Sequence, residues 1–184
     1  MFEKILSEIG KSLEKHNLPY IIIGGQAVLL HGEPRLTRDI DITLGVSIDQ
    51  LETLLSVVRE LSLKPLPKDI ETFVRQTMVL PTLDETTGIR ADFIFSFTPY
   101  ETEAIKRAKK VTILNQKVNF ASPEDLIIHK IFAGRPRDIE DVKTVLLKNP
   151  DVDKEYIRGW LKELDESSEE KNFLKIFEGV VKEL

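Results

Sequence analysis

Residues 20–42, YIIIGGQAVLLHGEPRLTRDIDI, join an apolar run to a glycine pair and end on two carboxylates one residue apart. Tyr20–Ile23 reads as a short buried strand, and Gly24-Gly25 as the turn into a short helix from Gln26 to about Leu30. His31-Gly32-Glu33-Pro34 reads as a turn. In residues 38–44, RDIDITL, Asp39, Asp41 and Thr43 face one way and Ile40, Ile42 and Leu44 the other, the alternation of a half-buried strand. Two carboxylates on one strand face repel, and a hard divalent cation held by carboxylate oxygens relieves them. A solvated strand face tolerates the same pair without a metal. Glycines let backbone approach a ligand, and free N–H groups at a helix start favour anionic oxygens. The same Gly-Gly also serves as a plain tight turn. The loop has neither the Gly-Lys-Ser/Thr ending of a P-loop nor the third glycine of the dinucleotide fingerprint.

Upstream, Phe2, Ile5, Leu6, Ile9 and Leu13 recur at helical spacing over 2–16, and Pro19 ends that helix. Downstream, Ser47-Ile-Asp-Gln50 reads as a capping box opening a helix with Leu51, Leu54, Leu55, Val58 and Leu61. A shorter helix follows near Ile70–Arg75. Residues 77–83 and 88–96 read as strands about the turn Asp84–Gly88. In the second, Ile89, Ala91, Phe93 and Phe95 share one face, and Arg90, Asp92 and Ile94 the other. An aspartate amid apolar neighbours is costly to bury unpaired. Asp92 therefore faces water, pairs with Arg90 or Arg38, or serves as a third metal ligand, which explains it best. Tyr100–Ala108 reads as helix and 111–120 as a hairpin around Asn115-Gln116. From Ser122, with Pro123 at the first helical position, the texture turns helical, with further helices near 136–147, 152–165 and 169–183. The expectation is an α/β class fold, a mixed β-sheet core flanked by helices over 1–121, with a helical region packed on it over 122–184.

The chain has 184 residues, 26 basic and 31 acidic, a net charge of −5 and no cysteine. Disulfides and thiolate metal sites are excluded, and a reducing cytoplasm is compatible. The opening MFEKILSEIGKSLEKH reads as amphipathic and charged rather than as a signal peptide, and no apolar run reaches the ~20 residues of a membrane span. A soluble, cytoplasmic protein with no membrane partner is expected. The acidic balance opposes bulk attraction to nucleic acid, which rests on many Lys/Arg–phosphate contacts. The densest basic run, Lys106, Arg107, Lys109 and Lys110, reads as a solvated helix end. His16, His31 and His129 have no zinc-ligand spacing. Trp160 and the C-terminal phenylalanines read as core.

The segment IIIGGQAVLLHGEPRLTRDIDI, with ADFIF downstream, resembles the signature of the nucleotidyltransferase fold superfamily related to DNA polymerase beta. That pattern is an apolar strand, Gly-Gly or Gly-Ser, about a dozen residues, Asp-x-Asp, and a later acidic residue on a strand. It falls here on Gly24-Gly25, Asp39/Asp41 and Asp92. The form Arg35-x-Thr37-x-Asp39-Ile-Asp41 is most similar to bacterial and archaeal families akin to abortive-infection toxin nucleotidyltransferases. Residues 122–142, SPEDLIIHKIFAGRPRDIEDV, resemble those families' helical motif, matching at Lys130, Arg135, Arg137, Asp138 and Asp141.

The resemblance implies a metal-dependent enzyme, using Mg²⁺ or Mn²⁺, that moves an NMP from an NTP to a hydroxyl acceptor with release of pyrophosphate. Asp39, Asp41 and Asp92 are the implied catalytic and metal residues. Gly24, Gly25, Arg38, Lys130, Arg135 and Asp138 are the implied nucleotide contacts. RNA (a tRNA end, as for the resembling toxins), a protein or a small molecule is the implied acceptor, and an antitoxin-like partner is compatible. Read from the residues alone, Lys130 either reaches a triphosphate or snorkels to water. Asp138 and Asp141 also suit a helix N-terminus, where carboxylates favour the dipole. A binding module that keeps the fold without turnover is the alternative function.

Overall fold

The computed structural model describes residues 1–169 and 172–184. Its strands form one seven-stranded mixed sheet in the order β3-β4-β5-β2-β1-β7-β6. The central strand β1 (Tyr20–Ile23) is buried along its whole length, which is why it reads as an unbroken apolar run. It pairs antiparallel with β2 (Asp39–Leu44), and β2 runs parallel to β5 (Ile89–Phe95). Ile40, Ile42 and Leu44 stand beside Ala91, Phe93 and Phe95 in that register, all buried on one sheet face. The opposite face carries Asp39, Asp41 and Thr43 next to Arg90, Asp92 and Ile94. Strand alternation has thus sorted apolar residues to the core and the acidic ones to the opposite face of the sheet.

On the far side of β5 lies β4 (Val79–Asp84), joined through the turn at Gly88, which sits at φ +72°. Beyond β4 is the two-residue β3 (Lys64–Pro65), too short to leave a period-2 signal. At the other edge β6 (Lys109–Ile113) and β7 (Gln116–Phe120) form a hairpin. Its turn residues are Leu114 and Asn115, both left-handed (φ +47° and +67°), one position earlier than expected. Helix α1 (Phe2–Lys15) packs on that hairpin, with α3 (Leu51–Glu60) and α4 (Ile70–Thr77) beside the sheet and α5 (Pro99–Lys106) following β5.

Helix α2 (Gly24–His31) begins at the glycines themselves, two residues before the expected start. The Ser47 box forms only in part: Ser47 Oγ accepts the Asp49 N–H at 3.4 Å, while Gln50 Oε1 accepts the Thr53 hydroxyl. The basic run also differs from a plain helix end. Lys109 and Lys110 lie in β6, and Arg107 sits 3.9 Å over the Tyr156 ring while reaching Glu124 at 3.4 Å.

Helices α6 (Pro123–Ala133), α7 (Pro136–Lys148), α8 (Lys154–Glu166) and α9 (Phe173–Glu183) follow, and the first three contribute residues to the cleft beside Asp41. The helix expected over 169–183 begins at Phe173; residues 170 and 171 lie outside the described ones. Ser122 caps α6, its Oγ accepting the Asp125 N–H at 3.1 Å and its hydroxyl donating to Asp125 Oδ2 at 2.7 Å. Ile127, Val142 and Phe177 belong to the same buried cluster as Ile22 and Ile42, so the change near residue 121 is one of secondary structure within one continuous core. Among the described residues, no helix is long and apolar enough to cross a membrane.

Candidate functional site

The acidic face is built by register. Asp41 on β2 and Asp92 on β5 are direct partners across parallel strands, so their side chains leave the sheet side by side. Neighbouring strands lie ~4.8 Å apart. Asp39 lies two residues before Asp41 on the same face and is exposed, whereas Asp41 is half-buried. Burial raises the Asp41 pKa above the ordinary carboxylate value, the charges of Asp92 and Asp39 raise it further, and Lys130 and Arg135 oppose them. The two strands have concentrated negative charge where solvent screens it poorly.

The glycine turn is pressed against this charge. Ile23 is the register partner of Asp41, and Gly24 follows it at φ +64°. A Cβ on Gly24 would stand 2.0 Å from Asp41 Oδ2, and one on Gly25 would stand 2.4 Å from Thr37 Oγ1. Both glycines are therefore required by packing, whatever their part in ligand contact. That closeness also sets the α2 N-terminus directly beside Asp41.

The cations of the second block are tied together. Lys130 Nζ lies 2.8 Å from Asp138 Oδ1 and 2.9 Å from Asp141 Oδ2, with its side chain only 6% exposed. Arg135 donates through Nε to Asp138 Oδ2 at 2.6 Å, and its backbone N–H reaches the same oxygen at 3.2 Å. Arg35, in the loop before β2, grips Asp141 with two bonds of 3.0 and 3.1 Å. Burial would raise the Asp138 carboxyl, but hydrogen bonds from Arg135 and Lys130 hold it below the usual range. This buried cluster bolts α6 and α7 to the loop that presents Asp39 and Asp41. Lys130 is thus neither snorkelling nor a free cation.

Arg135 itself is exposed and lines the mouth of the cleft. Arg38 is exposed at the start of β2, and Arg137 reaches the Leu36 carbonyl oxygen at 3.5 Å. Arg35 escaped the sequence reading as a partner because its carboxylate lies 106 residues away; the Arg/Asp composition of the two blocks was the only hint.

A cleft of about 550 Å³ opens beside Asp41; Asp39 and Asp92 are not among its described lining residues. Gly24, Asp41, Thr43, Ile94, Tyr100, His129, Lys130, Arg135 and Asp138 are among its lining residues. The donor set suits a hard divalent cation, being all carboxylate oxygen, and the mutual repulsion at Asp41 calls for a counter-charge. Against that, Arg90 Nε lies 2.7 Å from Asp92 Oδ1, the pairing with Arg90 that the sequence allowed. Among the described residues, no three His, Asp or Glu side chains already stand in metal-holding array. The carboxylates share a face and a register, and Arg90 competes with a cation for Asp92 Oδ1.

The fold is shared with several solved structures. The antibiotic-resistance factor ANT(2'')-Ia is 17% identical, covering 90% of this chain and 91% of its own, with a TM-score of 0.58. The lincosamide antibiotic adenylyltransferase LnuA is 17% identical, covering 77% and 94%, at 0.54. An antigenic nucleotidyltransferase-like protein from Paracoccidioides brasiliensis is 16% identical, covering 80% and 75%, at 0.55. These likenesses establish architecture. No curated protein sequence matches the chain. Residues 1–178 match the family described as "Nucleotidyltransferase of unknown function (DUF6036)". With the sheet, the glycine turn and the paired aspartates in that order, the chain belongs to this DUF6036 nucleotidyltransferase family, within the nucleotidyltransferase fold superfamily.

Proposed function

We propose that the protein transfers an NMP from an NTP to a hydroxyl acceptor, with Asp39, Asp41 and Asp92 as its catalytic carboxylates. The observation that carries this reading is the pairing of Asp41 with Asp92 across β2 and β5, directly against Gly24. Asp39, Asp41 and Asp92 would hold a Mg²⁺ or Mn²⁺. The metal, when bound, supplies charge neutralisation on the phosphates and acidifies the acceptor hydroxyl.

The chain's own residues do the rest. Backbone N–H groups at the start of α2 receive phosphate oxygens. Arg135, exposed at the cleft mouth, meets the outer phosphates, with Arg38 nearby on the open side. Lys130 acts at one remove, fixing Asp138, which in turn aims the Arg135 guanidinium. Asp92 takes the proton of the acceptor hydroxyl as its oxygen bonds the α-phosphorus, and the α–β phosphoanhydride bond breaks to release pyrophosphate. Catalysis in such a step comes mainly from positioning and charge stabilisation. Among proteins of this fold, ANT(2'')-Ia has been seen with adenylyl-2''-tobramycin and LnuA with lincomycin, which supports nucleotidyl transfer as the chemistry proposed here.

The test is incubation with α-³²P-labelled NTPs, Mn²⁺ and cell extract. Transfer of label that is lost in Asp41→Asn supports the reading. A second reading, a binding module without turnover, draws on the Arg90–Asp92 ion pair. Tight NTP binding with no label transferred to any fraction favours it.

A further inference from the structure

The two edges of the sheet differ in what they offer another strand. β3 has only Lys64 and Pro65, and the proline has no N–H to give. β6 is five residues long, and among the described residues no strand pairs with its outer side.

The hairpin decides which groups of β6 face outward. Leu114 and Asn115 are both left-handed, the two-residue turn that makes its flanking residues, Ile113 and Gln116, a hydrogen-bonded pair. Alternation then turns the backbone groups of Val111 and Lys109 inward to Val118 and Phe120. The N–H and C=O of Lys110 and Thr112 are left pointing away from the sheet, and both residues are exposed. An open edge invites strand addition, and lysine is the usual guard against it. Here the guard covers half the strand. Lys109 and Lys110 occupy one end, and the uncharged, β-branched Val111, Thr112 and Ile113 the other.

We propose that β6 pairs antiparallel with β6 of a second copy of this chain, about a two-fold axis at Val111. The proposal goes beyond the nucleotidyl-transfer reading and does not depend on it, since β1 and β7 separate this edge from Asp41 on β2. Three registers bring outward-facing residues together. Lys110 opposite Lys110 sets like charges directly against each other, which destabilises a ladder. Thr112 opposite Thr112 puts Lys110 against Leu114, whose left-handed backbone (φ +47°) has already left the strand. Lys110 opposite Thr112 uses both outward residues of both copies, sets Val111 against its counterpart and places Lys109 opposite Ile113. Each charged end then meets an uncharged one. Both edges are consumed, so the assembly closes as a dimer.

The side chains agree with that register. Val111 and Ile113 share a face with Val118, the face on which α1 packs through Gly10. Beside them a groove of about 440 Å³ is lined by Glu3, Leu6, Leu29, Leu30 and Leu114, and these last three leucines are exposed. Lys109 of the second copy, opposite Ile113, lays its stem along this apolar rim and carries its ammonium to Glu3. Glu3 is the one charged residue lining the groove among the described residues, so no cation there opposes the approach. Symmetry repeats the contact on the other copy. This complementarity, met by the chain's own edge, selects a second copy as the occupant.

The experiment measures the mass of the purified full chain by sedimentation across a dilution series. Wild type is expected at twice the chain mass, dissociating on dilution. Thr112→Pro removes an outward N–H and spares the bonds to β7, so it is expected at the monomer mass with an unchanged circular dichroism spectrum. The chain has no cysteine, so Val111→Cys supplies a single thiol. In the proposed register its Cα lies ~4.5 Å from its counterpart, within disulfide reach, and mild oxidation yields a covalent dimer. Thr112→Cys, opposite Lys110, links about tenfold more slowly. The cysteine pair remains decisive if the proline variant folds poorly. A wild type that stays monomeric up to ~100 µM overturns the proposal. So does a dimer that survives Thr112→Pro, or a Thr112→Cys variant that links as fast as Val111→Cys.

Discussion

Lys130→Met isolates what the buried ion cluster contributes to the fold. Methionine keeps most of the aliphatic stem, so the loss is that of the ammonium between Asp138 and Asp141, at 2.8 and 2.9 Å. Removing one partner of a buried pair costs ~3–5 kcal/mol, because the other charge is left uncompensated. Here each aspartate retains an arginine. Arg35 holds Asp141 through two bonds and is 22% exposed, whereas Arg135 on Asp138 is 75% exposed and well screened. The expected loss is therefore about 2–3 kcal/mol. At an m-value of ~2 kcal/mol/M, the urea midpoint falls by about 1–1.5 M.

The effect depends on pH with a definite sign. Asp138 is held below its ordinary pKa in the fold, so its contribution is present above the usual carboxylate range and lost as pH falls through the folded value. The gap between wild type and Lys130→Met is accordingly full at pH 7 and closes in acid. Adding Asp138→Asn and Asp141→Asn to Lys130→Met removes the stranded charges and restores part of the stability. A loss under ~1 kcal/mol at pH 7, or a gap unchanged by acid, refutes the assignment of this cluster as the bolt between α7 and the Asp39–Asp41 loop.

Gly24→Ala puts a left-handed alanine 2.0 Å from Asp41 Oδ2, so Asp41 must move. Stability drops by ~1–2 kcal/mol from backbone strain, and turnover falls ~100-fold or more if Asp41 works where it stands; rates near wild type remove Gly24 and Asp41 from the site together. Tyr20, 1% exposed and pushed up to about 12 chiefly by burial, folds as the neutral phenol. Its raised pKa stabilises below the ordinary tyrosine value and that stabilisation drains away between pH 10 and about 12. Tyr20→Phe should remove about 2–3 kcal/mol of this alkaline sensitivity in unfolding curves, at the cost of the 3.2 Å bond its oxygen accepts from the Asn119 N–H. An unchanged alkaline limb rejects it.

The sequence carried the sheet core well because alternation is a local signal. Ile40, Ile42 and Leu44 against Asp39 and Asp41, and Ala91 and Phe93 against Asp92, are sorted by period alone, and the register then pairs Asp41 with Asp92. What escaped was decided at long range. Arg35 and Asp141 meet across 106 residues, and no window of sequence holds both. Lys130 looked able to reach a phosphate or solvent, but two aspartates of α7 claim its ammonium. Gly24 and Gly25 read as ligand-approach positions, whereas packing against Asp41 and Thr37 already demands them.

The most direct test of the central claim is Mn²⁺ binding measured by electron paramagnetic resonance, with a non-hydrolysable NTP analogue present. Wild type should sequester Mn²⁺ at a discrete site, Asp41→Asn should lose it, and Arg90→Ala, which frees Asp92, should tighten it. Equal Mn²⁺ uptake by wild type and Asp41→Asn contradicts the account.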